Sequence, residues 1–164
     1  MAESKNAQIN KRTPLNRLII DTPALLNMVK HCRESDSNIQ GCLMGVTQRQ
    51  AGETEDSLLV TQTMAKLSNT HMGELMRAME NESQKLMDTN EVGFYITSRM
   101  GLCFNIHTLT ELLNNSKKFK NAIMVTYDTQ KSNYGLNPLR AYRLSEKAIA
   151  TFTLQQGNVM AHFV

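Results

Sequence analysis

The sequence predicts one α+β domain, a mixed α/β architecture in which strands outnumber helices. Length and composition come first: 164 residues with 41% hydrophobic and 20% charged side chains suit a single folded core and exclude a disordered chain. Strand-type segments then follow one another partly in succession, the order of an α+β or mixed-sheet domain. Between them, apolar residues recur at helical spacing in three stretches.

Residues 1–14, through Pro14, are a polar arm without apolar periodicity. Leu15 to Ile20 is a short apolar strand. Asp21-Thr22-Pro23 offers an N-cap candidate followed by proline in the first turn. Leu25, Leu26, Met28, Val29 and Cys32 continue this as a helix through Glu34. Ser35-Asp36-Ser37-Asn38 is a turn cluster. Ile39 to Val46 is apolar on both faces apart from Gln40, as expected of a buried strand. Residues 47–57 are polar, contain Gly52 and form a loop, and Ser57 to Leu67 is a third strand. Met72, Leu75, Met76 and Met79, with Leu86 and Met87 further on, mark an amphipathic helix near residues 70–88, with Glu74, Arg77, Glu80 and Lys85 opposite. Glu91 to Ser98 is the fourth strand, and Leu102 to Ile106 is a short apolar run expected to be another. Thr108 to Phe119 reads as a helix with Leu109, Leu112 and Leu113 inward. Ala122 to Asp128 is strongly β-type, Gln130 to Asn137 is a loop with Gly135, and Leu139 to Leu144 is the final strand. Residues 145–164 are weakly patterned.

Composition also limits function. The formal net charge is +3, too small to argue alone for a nucleic-acid partner. Its local clusters are Lys5, Lys11, Arg12 and Arg17, and Lys117, Lys118 and Lys120. The three cysteines, Cys32, Cys42 and Cys103, are odd in number and lack C-x-x-C spacing. That fits reduced thiols inside a cell. There is no apolar run of transmembrane length and no signal-peptide core in the first residues, so a cytoplasmic address is expected. Eleven methionines fill core gaps or supply adaptable contact surface.

Three separated segments point to one family. Gln40-Gly-Cys-Leu-Met-Gly45 resembles the end of the second strand of MPN (Mov34/JAMM) domains. Val92-Gly-Phe-Tyr95 resembles the strand leading into their zinc site. Val125-Thr-Tyr-Asp128, followed by Leu139-Arg-Ala-Tyr-Arg-Leu144, resembles their last core strands. The resemblance covers roughly residues 15–145 and implies a central, mostly antiparallel curved sheet flanked by about three helices. Residues 146–164 would then begin a C-terminal extension leading to helices past Val164.

The resemblance also allows a check of the family's catalytic positions. Asn38 stands where an active MPN enzyme has its glutamate. Ile96 and Ser98 stand in place of the two histidines, Ile106 in place of the serine and Leu109 in place of the aspartate. Isoleucine and leucine have no lone pair for a cation, and a serine hydroxyl is a poor zinc ligand. A catalytic zinc needs three protein ligands and one open position. No catalytic residue, metal or other cofactor is therefore expected, and the resemblance is to the catalytically silent branch. His107 lies near the lost site without a partner histidine at ligand spacing, as do His31 and His71 elsewhere, so His107 reads as a surface or helix-start residue. Cys103 in its apolar run reads as inert core rather than half of a thiol–imidazole pair.

Tyr127-Asp128 with the Leu139–Leu144 ending is similar to the h-type branch of the family, found in eukaryotic translation initiation factor three. That resemblance implies a scaffold subunit that supports assembly of the initiation complex on the small ribosomal subunit. Its implied partners are other initiation factor subunits, especially a second MPN subunit. Met72, Met76 and Met79 would lie on the helix that faces it. The alternatives are a non-catalytic MPN subunit of the proteasome lid or signalosome and, against the missing ligands, a zinc-dependent deubiquitinase. Direct RNA contact is not expected, because the arm bearing Lys5, Lys11 and Arg12 has few charges and no aromatic ring to stack a base.

Overall fold

The fold is built around one six-stranded sheet with helices on both faces. The computed structural model describes residues 14–34, 39–49, 52, 55–66, 90–101, 103–119 and 121–161, with side chains of 155–161 excepted. Its elements are β1 (Leu15–Ile20), α1 (Thr22–Arg33), β2 (Gln40–Gln48), β3 (Asp56–Ala65), β4 (Glu91–Ser98), α2 (Ile106–Lys118), β5 (Ile123–Asp128), α3 (Thr129–Asn133), β6 (Leu139–Tyr142) and α4 (Glu146–Ala161). The strand order is β1-β3-β2-β4-β5-β6. The β2–β3, β2–β4 and β5–β6 pairs are antiparallel, whereas β1–β3 and β4–β5 are parallel. Antiparallel pairings thus lead, and each parallel pair is reached by a crossover that includes a helix.

Local chemistry explains the helices. Pro23 sits in the first turn of α1, and Lys30, His31 and Arg33 sit in its last, where cations complement the helix dipole. The Asp21 side chain makes no capping bond; its carbonyl instead accepts the first helical bond from Leu25. At the start of α2, the Asn105 side chain accepts from the Thr108 N–H and the Thr108 hydroxyl accepts from the Asn105 N–H. This reciprocal cap satisfies two terminal donors.

The core is two-sided. Ala24, Met28 and Cys32 of α1 pack on Leu43, Leu58, Val60, Tyr95, Ile123, Val125 and Tyr127. On the other face, Phe94, Ile96 and Met124 meet Leu112 of α2 and Cys103. Residues 94, 95 and 96 alternate between these clusters, as do 123, 124 and 125, which is the period of two of an extended strand. All six residues of β5 are buried, because a strand covered on both faces has no solvent side.

Four expectations need correction or refinement. The expected strand over Leu102–Ile106 is not formed by its described residues: Cys103 to Asn105 form no regular element, and α2 already starts at Ile106, because the Asn105 cap turns the chain into the helix. The 130–137 loop contains the short helix α3, capped by Asp128. The weakly patterned C-terminal stretch includes α4, which lies beside α2. Four helices are therefore described where about three were expected, and the methionine-striped 70–88 segment lies outside the described residues.

Candidate functional site

The C-terminal end of β4 carries Ile96 and Ser98, the two residues that the sequence resemblance sets in place of metal-binding histidines. β4 reaches that end wedged between β2 and β5, and Gly93 makes the wedge possible. A Cβ there would collide with the backbone carbonyl oxygen of Ile123. The β2–β4 register shifts beside it, between Leu43 and Met44, a bulge that sets which face each later β4 side chain takes.

Ile96 consequently points to the α2 face, where it is buried among Phe94, Cys103, Leu112 and Met124. Ser98 is buried two residues on, and its hydroxyl oxygen has no hydrogen-bond partner among the described residues. The two side chains offer one neutral oxygen and no imidazole, thiolate or carboxylate, a donor set that does not fit zinc. Ile106, the first residue of α2, is 75% exposed, and Leu109 one turn later is half-buried. Among the described residues no three His, Cys, Asp or Glu side chains cluster as a metal would need. Asn38, Met72, Met76 and Met79 lie outside the described residues.

His107 is exposed. Cys103 is buried in the α2-side cluster, and its thiol is raised by burial, with a bond to Tyr142 acting the other way. Burial likewise pushes the Cys32 thiol up to about 12. Cys42 is pushed up to about 11 by burial and by the Glu91 carboxylate to which it is hydrogen bonded. Such thiols carry little thiolate at neutral pH and are poor nucleophiles. On the α1 face, the Tyr95 hydroxyl and His31 Nδ1 are 2.7 Å apart, with the rings edge to face. The Tyr95 ring lies over Gly41, where any side chain would strike it, so Gly41 is what lets this strand residue reach α1.

The residue that organises this end of the sheet was read in the sequence as a strand terminus and as part of the family resemblance, without a structural role. Asp128 is buried. Its Oδ2 accepts from the Gly101 N–H at 2.8 Å, and its Oδ1 accepts from the N–H groups of Gln130 and Lys131 at 3.1 Å each. One carboxylate therefore holds the turn after β4 and starts α3. Burial works against its charge, but the N–H groups of Lys131 and Gly101, with the Lys131 cation, hold the carboxyl below the usual range. An Asp128→Asn variant is expected to lose about 1–2 kcal/mol at neutral pH, because an amide offers fewer acceptor sites and no charge. The folded pKa lies below the unfolded value near 4. The contribution is therefore present above that value and disappears as pH falls through the folded pKa. Urea titrations at a series of pH values should show the gap between the two proteins closing below about pH 4, and a gap of constant size would refute the assignment.

Comparisons with known proteins identify the family. Residues 13–121 match the family model described as JAB1/Mov34/MPN/PAD-1 ubiquitin protease. The chain is 24% identical over 93% of its length to a Nematostella vectensis protein named as the H subunit of eukaryotic translation initiation factor 3. It is 30% and 31% identical over 80% of its length to proteins of the same name from Culex quinquefasciatus and Aedes aegypti. It spans 40–47% of the length of these relatives. With the family model matched across most of the sheet and both flanking helices α1 and α2, the chain belongs to the JAB1/Mov34/MPN/PAD-1 family.

Proposed function

We propose that this chain is a non-catalytic MPN scaffold subunit of eukaryotic translation initiation factor three. The observation that carries the proposal is Ile96, an aliphatic side chain locked into a hydrophobic cluster, at the position that the resemblance matches to a zinc-ligand histidine. Ser98, Ile106 and Leu109 extend the same argument, and Asn38 does so from the sequence. The names of the relatives favour the initiation factor over the proteasome lid or signalosome, the second reading.

In this reading residues 15–145 are the MPN domain, residues 1–14 a polar arm, and residues 146–164 an extension that opens with α4. The role is to support assembly of the initiation complex on the small ribosomal subunit, in the cytoplasm. The partners are other initiation factor subunits, foremost a second MPN subunit facing the stripe of Met72, Met76 and Met79. The ribosomal subunit is reached through the complex and not through RNA held by this domain. No helix of the described residues is long and apolar enough to cross a membrane.

Affinity purification of the tagged full-length protein under mild salt tests this. Initiation factor subunits and small ribosomal subunits should be recovered together, and recovery of proteasome lid or signalosome subunits instead would favour the second reading. A gel shift of the purified protein should show no tight, salt-dependent RNA binding.

A further inference from the structure

At the end of the sheet away from Asp128, a second buried carboxylate joins elements that the chain order keeps apart. Asp56, the first residue of β3, is 7% exposed. Its Oδ1 accepts from Arg49 Nε at 2.8 Å, and Arg49 Nη2 lies 2.7 Å from the same oxygen. Arg49 directly follows β2 and is itself exposed. A carboxylate out of water keeps its charge only where cations or N–H groups face it.

Strand alternation puts a second cation on the same face. Leu58 and Val60 of β3 belong to the α1-side core, so Asp56, two residues before Leu58, shares their face. Leu139 of β6 packs on that core too, whereas Tyr142 and Leu144 pack on the α2-side cluster. Arg143, between those two, therefore faces the α1 side. It stands at the same end of the sheet as Asp56, since Tyr142 pairs with Met124 near the start of β5 and Ser57 pairs with Gln48 at the end of β2. β1 and β6 are the two edge strands, yet Leu15 and Leu18 of one and Leu139 of the other reach a single cluster. The sheet thus curls toward α1, and its edges approach one another. The charges register this: burial lowers the pKa of the half-buried Arg143, and the carboxylates of Glu146 and Asp56 work the other way.

Arg143 also stands two residues before the cap of α4. The Ser145 hydroxyl oxygen accepts from the Ala148 N–H at 3.2 Å, and the Ser145 carbonyl accepts from the Ile149 N–H at 3.0 Å. Glu146 lies in the first turn of α4, where the helix dipole favours an anion. α4 lies beside α2, with Ala148, Ile149 and Phe152 half-buried and Leu154 71% exposed. Its apolar hold on the domain is shallow, so charge at its start takes a larger share in fixing it.

We propose that Asp56, Arg143 and Glu146 form an ionic clasp that fastens the start of α4 to β3 and sets the direction in which this helix leaves the sheet. Arg143 is the link: it faces a buried carboxylate of the sheet and a first-turn carboxylate of the helix. Removing its charge severs α4 from Asp56, while Arg49 still answers the buried anion, so α4 opens and the sheet survives. The clasp rests on the placement of these charges and does not depend on the proposed function.

Hydrogen exchange of the full chain, read by NMR at fixed pH, tests this. Arg143→Gln should speed exchange of the α4 amides from Ile149 to Leu154 by roughly tenfold, while β4 and β5 keep their protection. Arg143→Lys, which keeps the cation, should retain most of the α4 protection. Asp56→Asn should free α4 as Arg143→Gln does, and the two together should go no further than the stronger single change, since both cut one link. Arg49→Gln controls for a weakened start of β3 and should leave α4 exchange within about twofold of the parent chain. Where Asp56→Asn does not fold, the Arg143 and Arg49 variants decide. Unchanged α4 exchange in Arg143→Gln, or equal loss of protection in Arg143→Lys or Arg49→Gln, overturns the proposal. Additive effects of Arg143→Gln and Asp56→Asn do so too.

Discussion

Replacing Gly93 with alanine is expected to destabilise the protein by about 3 kcal/mol or more. β4 lies between β2 and β5. The added Cβ would meet the carbonyl oxygen of Ile123, which belongs to the β5 backbone and cannot rotate away as a side chain could. Relief requires β4 and β5 to separate at the start of their parallel ladder, beside the bulge opposite Leu43 and Met44. The loss then spreads into both core clusters, since Phe94 and Tyr95 follow directly. Gly52 supplies the control, because a Cβ there meets nothing within 4 Å. Gly52→Ala should cost only the left-handed backbone term, about 1 kcal/mol. Urea denaturation of the two variants decides this. Similar midpoints would show that the close approach at Gly93 is not limiting.

The second large effect is the attempted restoration of a metal site. Ile96→His combined with Ser98→His should yield no isopeptidase activity on ubiquitin chains in the presence of zinc, and a protein less stable by about 2–4 kcal/mol. The stability loss follows from placing an imidazole among Phe94, Cys103, Leu112 and Met124, where burial takes its polar atoms out of water. The activity stays absent because two histidines leave the set one ligand short, with Leu109 in the aspartate position and Asn38 in that of the glutamate. Cleavage of ubiquitin chains by this double variant would overturn the non-catalytic reading.

Much of the fold was legible because the apolar pattern of each long element is locally decisive. Leu15–Ile20 and Glu91–Ser98 were bounded correctly from the sequence, since short β-rich runs between turn signals have little alternative. The stripe from Leu25 to Cys32 read as a helix for the same reason. Leu102–Ile106 misled because a short apolar run carries no period that separates strand from coil. The Asn105–Thr108 reciprocal cap was the available signal: it is a polar residue followed three positions later by a side chain able to bond back. The α4 segment was missed because Glu146–Ala161 lacks a clear apolar stripe, and α3 because five residues are too few for one.

The expectation that zinc-ligand chemistry is lost rests on the sequence alone. Replacing imidazole by isoleucine removes the lone pair whatever the fold does, so Ile96, Ser98, Ile106 and Leu109 could be judged on residue type. Where Ile96 packs was decided only by tertiary structure. The Gly93 bulge sets the face on which Ile96 falls, and the α2 face makes it a core residue. Asp128 gained its role only when parallel pairing brought the Gly101 N–H and the start of α3 to one carboxylate. Residue type decides what a side chain can bind, but strand register and crossover direction decide which side chains share a place, and neither is encoded in any local window of the sequence.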